Sequence, residues 1–523
     1  MVFRSSFPDV DIPALPAHEL IFRGLAEKAD RPALIDGISG LTITYGEFAA
    51  AVDRLAAALA ERGVVKGDVI GIFAPNTPAY AITLHGVLRA GAVATTANAL
   101  YTAEEVASQL TDAGAKMLFT VSAFLDRATA AAKLAGISDV FVFDKADGHT
   151  SLSDLLASTA PAPEIEFDTA EDLAVLPYSS GTTGRAKGVM LTHRALVANI
   201  VQTDSMMDSA NLNRVLAVLP FFHIYGMQVT LNHALALGAT VVTMPKFDLP
   251  EFLRIIAEHR TDRVYIAPPI AVALAKHPIV DSYDLSALKV LFSGAAPLDE
   301  ELAEAVHKRL GCKVKQGYGM TEMSPVSHTI PDHRDDIAIG TVGLIVPNME
   351  NKIVDLATGE ELGVGERGEL WCKGPNMMKG YLNNPEATAA TLDEDGFLHT
   401  GDVAVIDEDG VVSIVDRVKE LIKYKGYQVP PAELEALLLT HPRIADAAVI
   451  GVHDAEGEEV PKAFVVRQAG ADDVTADDVM TFVAERVAPH KKVRVVEFLD
   501  AIPKSASGKI LRKDLRAREA AAK

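Results

Sequence analysis

Residues 178–189 read Tyr-Ser-Ser-Gly-Thr-Thr-Gly-Arg-Ala-Lys-Gly-Val, and no other stretch constrains the fold as strongly. An apolar run from Leu173 to Pro177 precedes it. A helix-compatible run follows, opening near Thr192 and His193 and continuing through Leu196, Val197 and Ile200. The order strand, flexible loop, connector, helix is that of an α/β layer. Gly181, Gly184 and Gly188 let backbone N–H groups approach an anion closely. The hydroxyls of Ser179, Ser180, Thr182 and Thr183 add donors, and Arg185 and Lys187 add positive charge. A polyphosphate needs that combination. The stretch is not a Walker A loop: two residues separate Gly181 from Gly184, and Gly188 follows Lys187 where that motif has Ser or Thr. Taken alone it reads equally as a solvated Gly/Ser/Thr loop.

The chain around it alternates strands and helices. Tyr45-Gly-Glu-Phe48 leads into Ala51, Leu55, Ala58 and Leu59 at helical spacing. Residues 68–73 read as a short buried strand, 78–90 as a helix, and Ala92–Ala94 as the start of another strand; the rhythm recurs at 104–120 and near 139–143. Beyond the loop the pattern predicts strands at 215–219, 240–244, 263–267 and 290–293, with helices near 227–237 and at 249–259. Such alternation predicts right-handed βαβ units on largely parallel sheets. From about 340 the character changes. Gly340, Gly343, Gly363, Gly365 and Gly368 punctuate short β-prone runs, and Asp407–Gly410 reads as a hairpin turn. Beyond Arg417 a charge-rich segment predicts a small α+β domain with helices at 431–439 and 475–487 and strands at 447–452, 463–466 and 493–499. The expected organisation is therefore an α/β protein. Its large N-terminal domain, 1–417, holds two βαβ-type sheets and a β-rich subdomain at about 340–417, and a small C-terminal domain occupies 418–523.

Charge narrows the function classes. The 523 residues carry 49 Lys plus Arg against 71 Asp plus Glu, a net charge of −22. Such a chain is a poor general binder of nucleic acid or anionic membrane, so any polyanion must be held by a local site. Two cysteines far apart, Cys312 and Cys372, argue against a disulfide framework or zinc cluster and fit a reducing compartment. No signal pattern, membrane-length apolar run or peroxisomal tripeptide is present. A cytoplasmic location is expected.

Further stretches carry chemistry. His223, in Phe-Phe-His-Ile-Tyr-Gly after a buried strand, is either a packing residue or the lining of a pocket at a strand's carboxyl end. Ser293-Gly294-Ala295-Ala296-Pro297 is either a tight turn or a backbone surface on which a flat ring can lie. In Gln316-Gly317-Tyr318-Gly319-Met320-Thr321-Glu322, Tyr318 can stack on a base, Thr321 can donate to a phosphate and Glu322 can hold Mg²⁺; an exposed Gly-rich turn explains it as well. Asp402, after a glycine turn, can accept from vicinal hydroxyls. The run from Asp416 to Val429 mixes cations, aromatics and Gly426 at a domain boundary, where a solvated charged face is the alternative. Pro503–Ile510 is a second cationic loop and on its own reads as a disordered basic tail.

Together, in this order, these stretches resemble the adenylate-forming superfamily of acyl-CoA synthetases, adenylation domains and luciferases, and within it most closely the 4-coumarate–CoA ligases. Ser-Ser-Gly-Thr-Thr-Gly-x-x-Lys-Gly-Val, Phe-His-Ile-Tyr, Ser-Gly-Ala-Ala-Pro-Leu and Lys-Glu-Leu-Ile-Lys-Tyr-Lys-Gly-Tyr-Gln-Val carry the likeness. The resemblance implies ATP, Mg²⁺ and coenzyme A as cofactors and a small carboxylic acid as partner, with an acyl-adenylate made first and a thioester second. It implies that Ser179 to Lys187 would hold the β- and γ-phosphates. Gly294, Ala295, Ala296 and Tyr318, flanked by Gly317 and Gly319, would sandwich adenine, and Asp402 and Arg417 would hold ribose. Thr321 would touch the α-phosphate and Glu322 the metal. Lys509 would bridge carboxylate and ATP, and His223 would lie beside the carboxylate. A hinge near Lys419 would exchange Lys509 for Lys423, Lys425, Gly426 and Gln428 on the thioester-forming side.

The same resemblance maps the acid pocket onto His223, Tyr225, Val229, Ala295, Gly317, Pro325 and Val326, which suits a flat aromatic acid such as 4-coumarate. Val229 brings an aliphatic side chain where some relatives carry a small polar one. Gly368-Glu-Leu-Trp-Cys-Lys-Gly374 departs from the Gly-Glu-Ile-Cys-Ile-Arg-Gly usual in the plant enzymes. A medium-chain fatty acyl-CoA ligase and a stand-alone adenylation protein that loads a carrier domain are the alternatives. A monomer or homodimer is expected.

Overall fold

A computed structural model describes residues 1–179, 186–208, 212–424, 427–454, 458–505 and 508–521. Two sheets with parallel centres dominate the N-terminal part. In the first, Asp139–Val142, Ala115–Thr120, Val69–Phe73, Val93–Thr96 and Leu173–Val175 run parallel. Lys187–Thr192 and Gly380–Tyr381 close it antiparallel. In the second, the parallel centre is Lys313–Gly319, Val290–Ser293, Arg263–Ile266, Arg214–Ala217, Thr240–Thr243 and Pro32–Asp36, with antiparallel strands at both edges. The near-continuous apolar runs of these strands follow from helices covering both faces. The helices start where the sequence supplies caps: Thr44 with Glu47 and Thr102 with Glu105 form capping boxes.

A third, antiparallel sheet orders Phe3–Arg4, Glu350–Val354, Gly368–Lys373, Leu398–Ile406 and Val412–Arg417. The predicted hairpin at 407–410 joins its last two strands. Beyond it, Ile444–His453, Glu459–Arg467 and Val495–Phe498 form a small sheet, covered by helices Pro431–Thr440 and Ala476–Ala484 over a core that includes Leu434, Leu438, Val449, Val465 and Val479. This smaller C-terminal unit meets the larger one directly. Lys276 Nζ donates to the carbonyls of Leu439 and Ile444 at 3.5 and 3.4 Å. Asp416 accepts from the Ala432 N–H at 2.9 Å, at the start of a helix that lacks a capping side chain of its own.

Several expectations change. The second sheet is not built only from the strands predicted beyond the Gly/Ser/Thr loop, because Pro32–Asp36 crosses to pair with Thr240–Thr243. Residues 187–192 are a strand instead of a connector, and Thr192 then caps the helix His193–Asp204 by accepting from Ala195 N. The segment near 227–237 is π-helical over Tyr225–Asn232 and α-helical only from His233 to Ala236. Residues 506 and 507 of the basic loop lie outside the described residues; around them Lys504 pairs with Ile510, and the helix Arg512–Ala521 seats Leu515 beside Ile450 and Phe464. No described helix is long and apolar enough to cross a membrane.

A buried ion pair joins the second sheet to the segment after its antiparallel edge. Arg263 and Asp332 are 5% and 6% exposed, and Asp332 also accepts from Asp208 N at 2.9 Å. Removing one member strands the other charge. Asp332→Ala is expected to cost about 3–5 kcal/mol in urea unfolding, whereas a loss under about 1 kcal/mol, the size of a surface pair, would contradict this reading.

Candidate active site

The strand Lys313–Gly319 of the second sheet leads at its carboxyl end to Glu322, which meets the entry of the Gly/Ser/Thr loop at Ser179. Val290–Ser293 ends in Gly294, whose missing side chain leaves room for the Tyr225 ring; a Cβ there would stand 3.0 Å from it. Ala295 follows with φ 70°, a left-handed conformation that a non-glycine residue holds only when its surroundings enforce it. Lys313–Gly319 ends in Gly317, where a Cβ would lie 2.8 Å from Phe292, and Gly319, where it would lie 2.0 Å from the Pro325 carbonyl. The chain then turns through Thr321–Met323 and returns as Val326–Thr329. Sequence reasoning missed the two asparagines that brace this return. Asn199 exchanges hydrogen bonds with Val326 at 2.7 and 3.1 Å, and Asn376 donates to Met323 O at 2.7 Å.

Glu322 is 5% exposed. Its Oε1 accepts from Ser179 Oγ at 3.0 Å and from Tyr381 OH at 2.8 Å. Lys187 Nζ lies 4.4 Å from the centre of the Tyr381 ring. No sequence signal marked Tyr381, because Gly-Tyr before Leu-Asn-Asn is an ordinary turn entry until the strand pairing is known. Among the described residues no cation pairs with Glu322, so its charge is held by hydroxyl donors. Ser180, Gly181, Thr182, Thr183 and Gly184 lie outside the described residues.

Beside this group, Tyr318 OH donates to Asp402 Oδ2 at 2.5 Å, and Arg417 Nε lies 3.3 Å from Asp402 Oδ1. The latter two are neighbours across the hairpin of the third sheet. The C-terminal unit delivers Lys509 here: Gly508 packs so closely on the end of Arg263–Ile266 that a Cβ would fall 2.9 Å from that of Ala267. Burial first, then Arg417, draws the Lys509 ammonium down to about 8, while Asp402 and Glu322 oppose the shift. His223 is its other neighbour; burial and then Lys509 lower the imidazole to about 4. His223 Nδ1 accepts from Tyr225 N at 3.2 Å, so the neutral ring carries its proton on Nε2. Tyr225 and Val229 are buried on the π-helix, and Pro325 and Val326 border the Gly319 turn. Among the described residues the site thus combines a buried carboxylate, a carboxylate–guanidinium pair, the lysines Lys187 and Lys509, and a neutral histidine.

Lys423 and Gln428 are not part of this cluster. They pair across the hairpin Ile422–Tyr424/Tyr427–Val429 with exposed side chains, and no described hydrogen bond or ion pair joins either to Glu322, Asp402 or Lys509. Lys425 and Gly426 lie outside the described residues.

Residues 21–382 match the family described as AMP-binding enzyme, and residues 433–509 match its C-terminal domain. The chain belongs to the AMP-binding enzyme family. Among the similar curated proteins of this family, 4-coumarate–CoA ligase 5 of Oryza sativa subsp. japonica is 43% identical, covering 99% of this chain and 98% of its own. 4-Coumarate–CoA ligase 3 of Arabidopsis thaliana is 44% identical, covering 99% and 94%. Among solved structures, ATP-bound MatB from Rhodopseudomonas palustris superposes with a TM-score of 0.86 at 31% identity, covering 96% of this chain and 99% of that one. The anthranilate CoA ligase AuaEII in complex with anthranoyl-AMP gives 0.89 at 25%, covering 98% and 99%. An AMP-binding enzyme of mixed α/β architecture, with a large N-terminal and a smaller C-terminal domain, accounts for the whole chain.

Because its folded pKa is lowered, Lys509 is a cation below about 8 and loses that charge as pH rises through it. The kcat/KM for ATP, which reports the free enzyme, is expected to fall above pH 8 and to keep its plateau in Lys509→Arg, whose guanidinium stays charged. An identical alkaline limb in both proteins would contradict the assignment.

Proposed function

We propose that the protein is an ATP-dependent carboxylate–CoA ligase acting on 4-coumarate or a related hydroxycinnamate. The observation that carries the reading is Lys509: the smaller unit brings one cation to a site where the larger unit gathers the carboxylates of Glu322 and Asp402. An acid and a triphosphate repel each other, so positive charge must stand where negative charge accumulates in the transition state. The full-length likeness to proteins named 4-coumarate–CoA ligase supports the substrate class.

In the first half-reaction an oxygen of the acid's carboxylate attacks the α-phosphorus of ATP. The bond to the bridging oxygen breaks and pyrophosphate leaves. Lys509 neutralises the incoming carboxylate and the α-phosphate, Thr321 donates to that phosphate, and His223 offers its Nε2 proton to the carboxylate. Asp402 and Arg417 bind the ribose, Tyr318 with Gly294–Ala296 binds adenine, and the loop from Ser179 to Lys187 grips the leaving pyrophosphate. The residues fit a Mg²⁺ ion. Glu322 is a buried carboxylate with no cationic partner among the described residues, and it would hold the ion through an oxygen, the ligand type this hard cation takes. Mg²⁺ supplies charge neutralisation on the phosphate oxygens.

In the second half-reaction the coenzyme A thiol attacks the acyl carbon and AMP leaves. A turn about Lys419 withdraws Lys509 and presents Lys423, Lys425, Gly426 and Gln428; the exposure of Lys423 and Gln428 is what such a second face requires. The domain boundary falls at 417/418 in this scheme. The free, buried Cys312 and Cys372 suit a cytoplasmic location. Val229, buried on the π-helix, is the observation that favours an alkyl acid instead.

A pyrophosphate-release screen over cinnamates, benzoates and fatty acids, with and without coenzyme A, is expected to select a hydroxycinnamate. Preference for a medium-chain fatty acid would overturn the substrate. Lys509→Ala is expected to lose adenylate formation by about a hundredfold or more while still thioesterifying supplied coumaroyl-adenylate. Equal loss in both half-reactions would sink the two-face scheme.

A further inference from the structure

We propose that Tyr381 is a positioning residue for the metal-bound triphosphate, orienting Glu322 with its hydroxyl and holding Lys187 off that carboxylate with its ring. The inference rests on the adenylating activity proposed above. Tyr381 belongs to neither the Gly/Ser/Thr loop nor the turn that carries Glu322. It arrives from the far side, on the two-residue strand Gly380–Tyr381.

The strand pairing explains how it gets there. Lys187–Thr192 leaves the Gly/Ser/Thr loop and is flanked on both sides. Lys187 pairs with Ser179, and Val189 pairs with Tyr381. The bonds from Leu382 N to Gly188 O at 2.8 Å and from Lys379 N to Met190 O at 2.9 Å lock that second register. The two hydroxyls that reach Glu322 Oε1 therefore stand on opposite neighbours of one strand, 3.0 Å away from Ser179 and 2.8 Å away from Tyr381. Met378 N donates to the Glu322 carbonyl at 2.8 Å, so the segment just before Tyr381 also fixes the backbone of the residue it orients.

Two consequences follow from the chemistry. A carboxylate oxygen that accepts two hydroxyl donors has its lone pairs engaged, and Oε2, which has no hydrogen-bond partner among the described residues, is then the oxygen available to a hard cation. A free lysine next to a buried carboxylate would form an ion pair and close that oxygen. Here Lys187 rests over the Tyr381 ring at 4.4 Å, and no ion pair within 4 Å joins it to Glu322. A cation over an aromatic face is weakly held and exchanges readily for a phosphate.

Manganous ion is the probe, followed by electron paramagnetic resonance in the presence of ATP; ATP binding in EDTA is followed by calorimetry. Tyr381→Phe keeps the ring and removes the donor. It is expected to weaken Mn²⁺ binding in the ternary complex about tenfold while metal-free ATP binding stays within about twofold. The Mg²⁺ requirement of pyrophosphate exchange should rise in parallel, with the KM for the acid unchanged. Ser179→Ala removes the other donor to the same oxygen; because Ser179 also belongs to the phosphate-gripping loop, it is expected to weaken Mn²⁺ binding by more than it weakens metal-free ATP binding, and that excess decides the matter if Tyr381→Phe does not fold. Unchanged Mn²⁺ affinity, or equal weakening of metal-free ATP, overturns the inference. A wild-type protein that binds neither ATP nor Mn²⁺-ATP would instead refute the proposed activity.

Discussion

One buried carboxylate, Glu322, sets the terms for the rest of the site. Taking a carboxylate out of water costs several kcal/mol unless hydrogen bonds or an opposite charge offset it. Here hydroxyls from Ser179 and Tyr381 do so, and no described cation approaches within ion-pair distance. That requirement reaches into the fold. Ser179 and Tyr381 belong to strands on either side of Lys187–Thr192, so closing the first sheet with antiparallel strands also equips its edge to meet the second sheet's Thr321–Met323 turn. A sheet of parallel strands alone would have no strand arriving from that direction.

The same charge logic explains why two units are needed. The chain is acidic overall, with a net charge of −22, and its larger unit contributes Glu322 and Asp402 to the cleft. A polyphosphate would meet repulsion there without a local cation. Arg417 is committed to Asp402, and Lys187 rests on an aromatic ring. Lys509 is the cation that the smaller unit adds, and its lowered pKa records what desolvation beside Arg417 costs it. A cation carried on a separate unit can be withdrawn, which a residue on either main sheet cannot.

Much of this was legible in the chain. Alternating apolar runs and capped helices announced α/β layers, and the glycine clusters after 340 announced a hairpin-rich sheet, because those signals are local. The long-range features were hidden. Nothing in Phe3–Arg4 says that it extends the third sheet, and nothing in Pro32–Asp36 says which sheet it joins, since both depend on partners more than 200 residues away. The π-helix at Tyr225–Asn232 carries an apolar pattern that suits an α-helix equally. At the site, motif residues such as Glu322, Asp402 and Lys509 stood out through their unusual neighbours. Tyr381, Asn199 and Asn376 did not, because each acts through a contact made across the fold. At Pro503–Ile510 a basic composition taken alone suggested a disordered tail, and the packing of Gly508 on Ala267 and of Leu515 in the small unit's core depends on partners that composition does not reveal.

In the proposed reaction the gathered charge serves attack of a carboxylate on the α-phosphate. Turnover of 4-coumarate labelled with ¹⁸O in its carboxylate tests this, because the bond that forms decides where the label travels. One labelled oxygen is expected in the phosphate of AMP, with unlabelled pyrophosphate and one labelled oxygen left in the thioester. Label in inorganic phosphate with ADP as the nucleotide product, or unlabelled AMP, would contradict it.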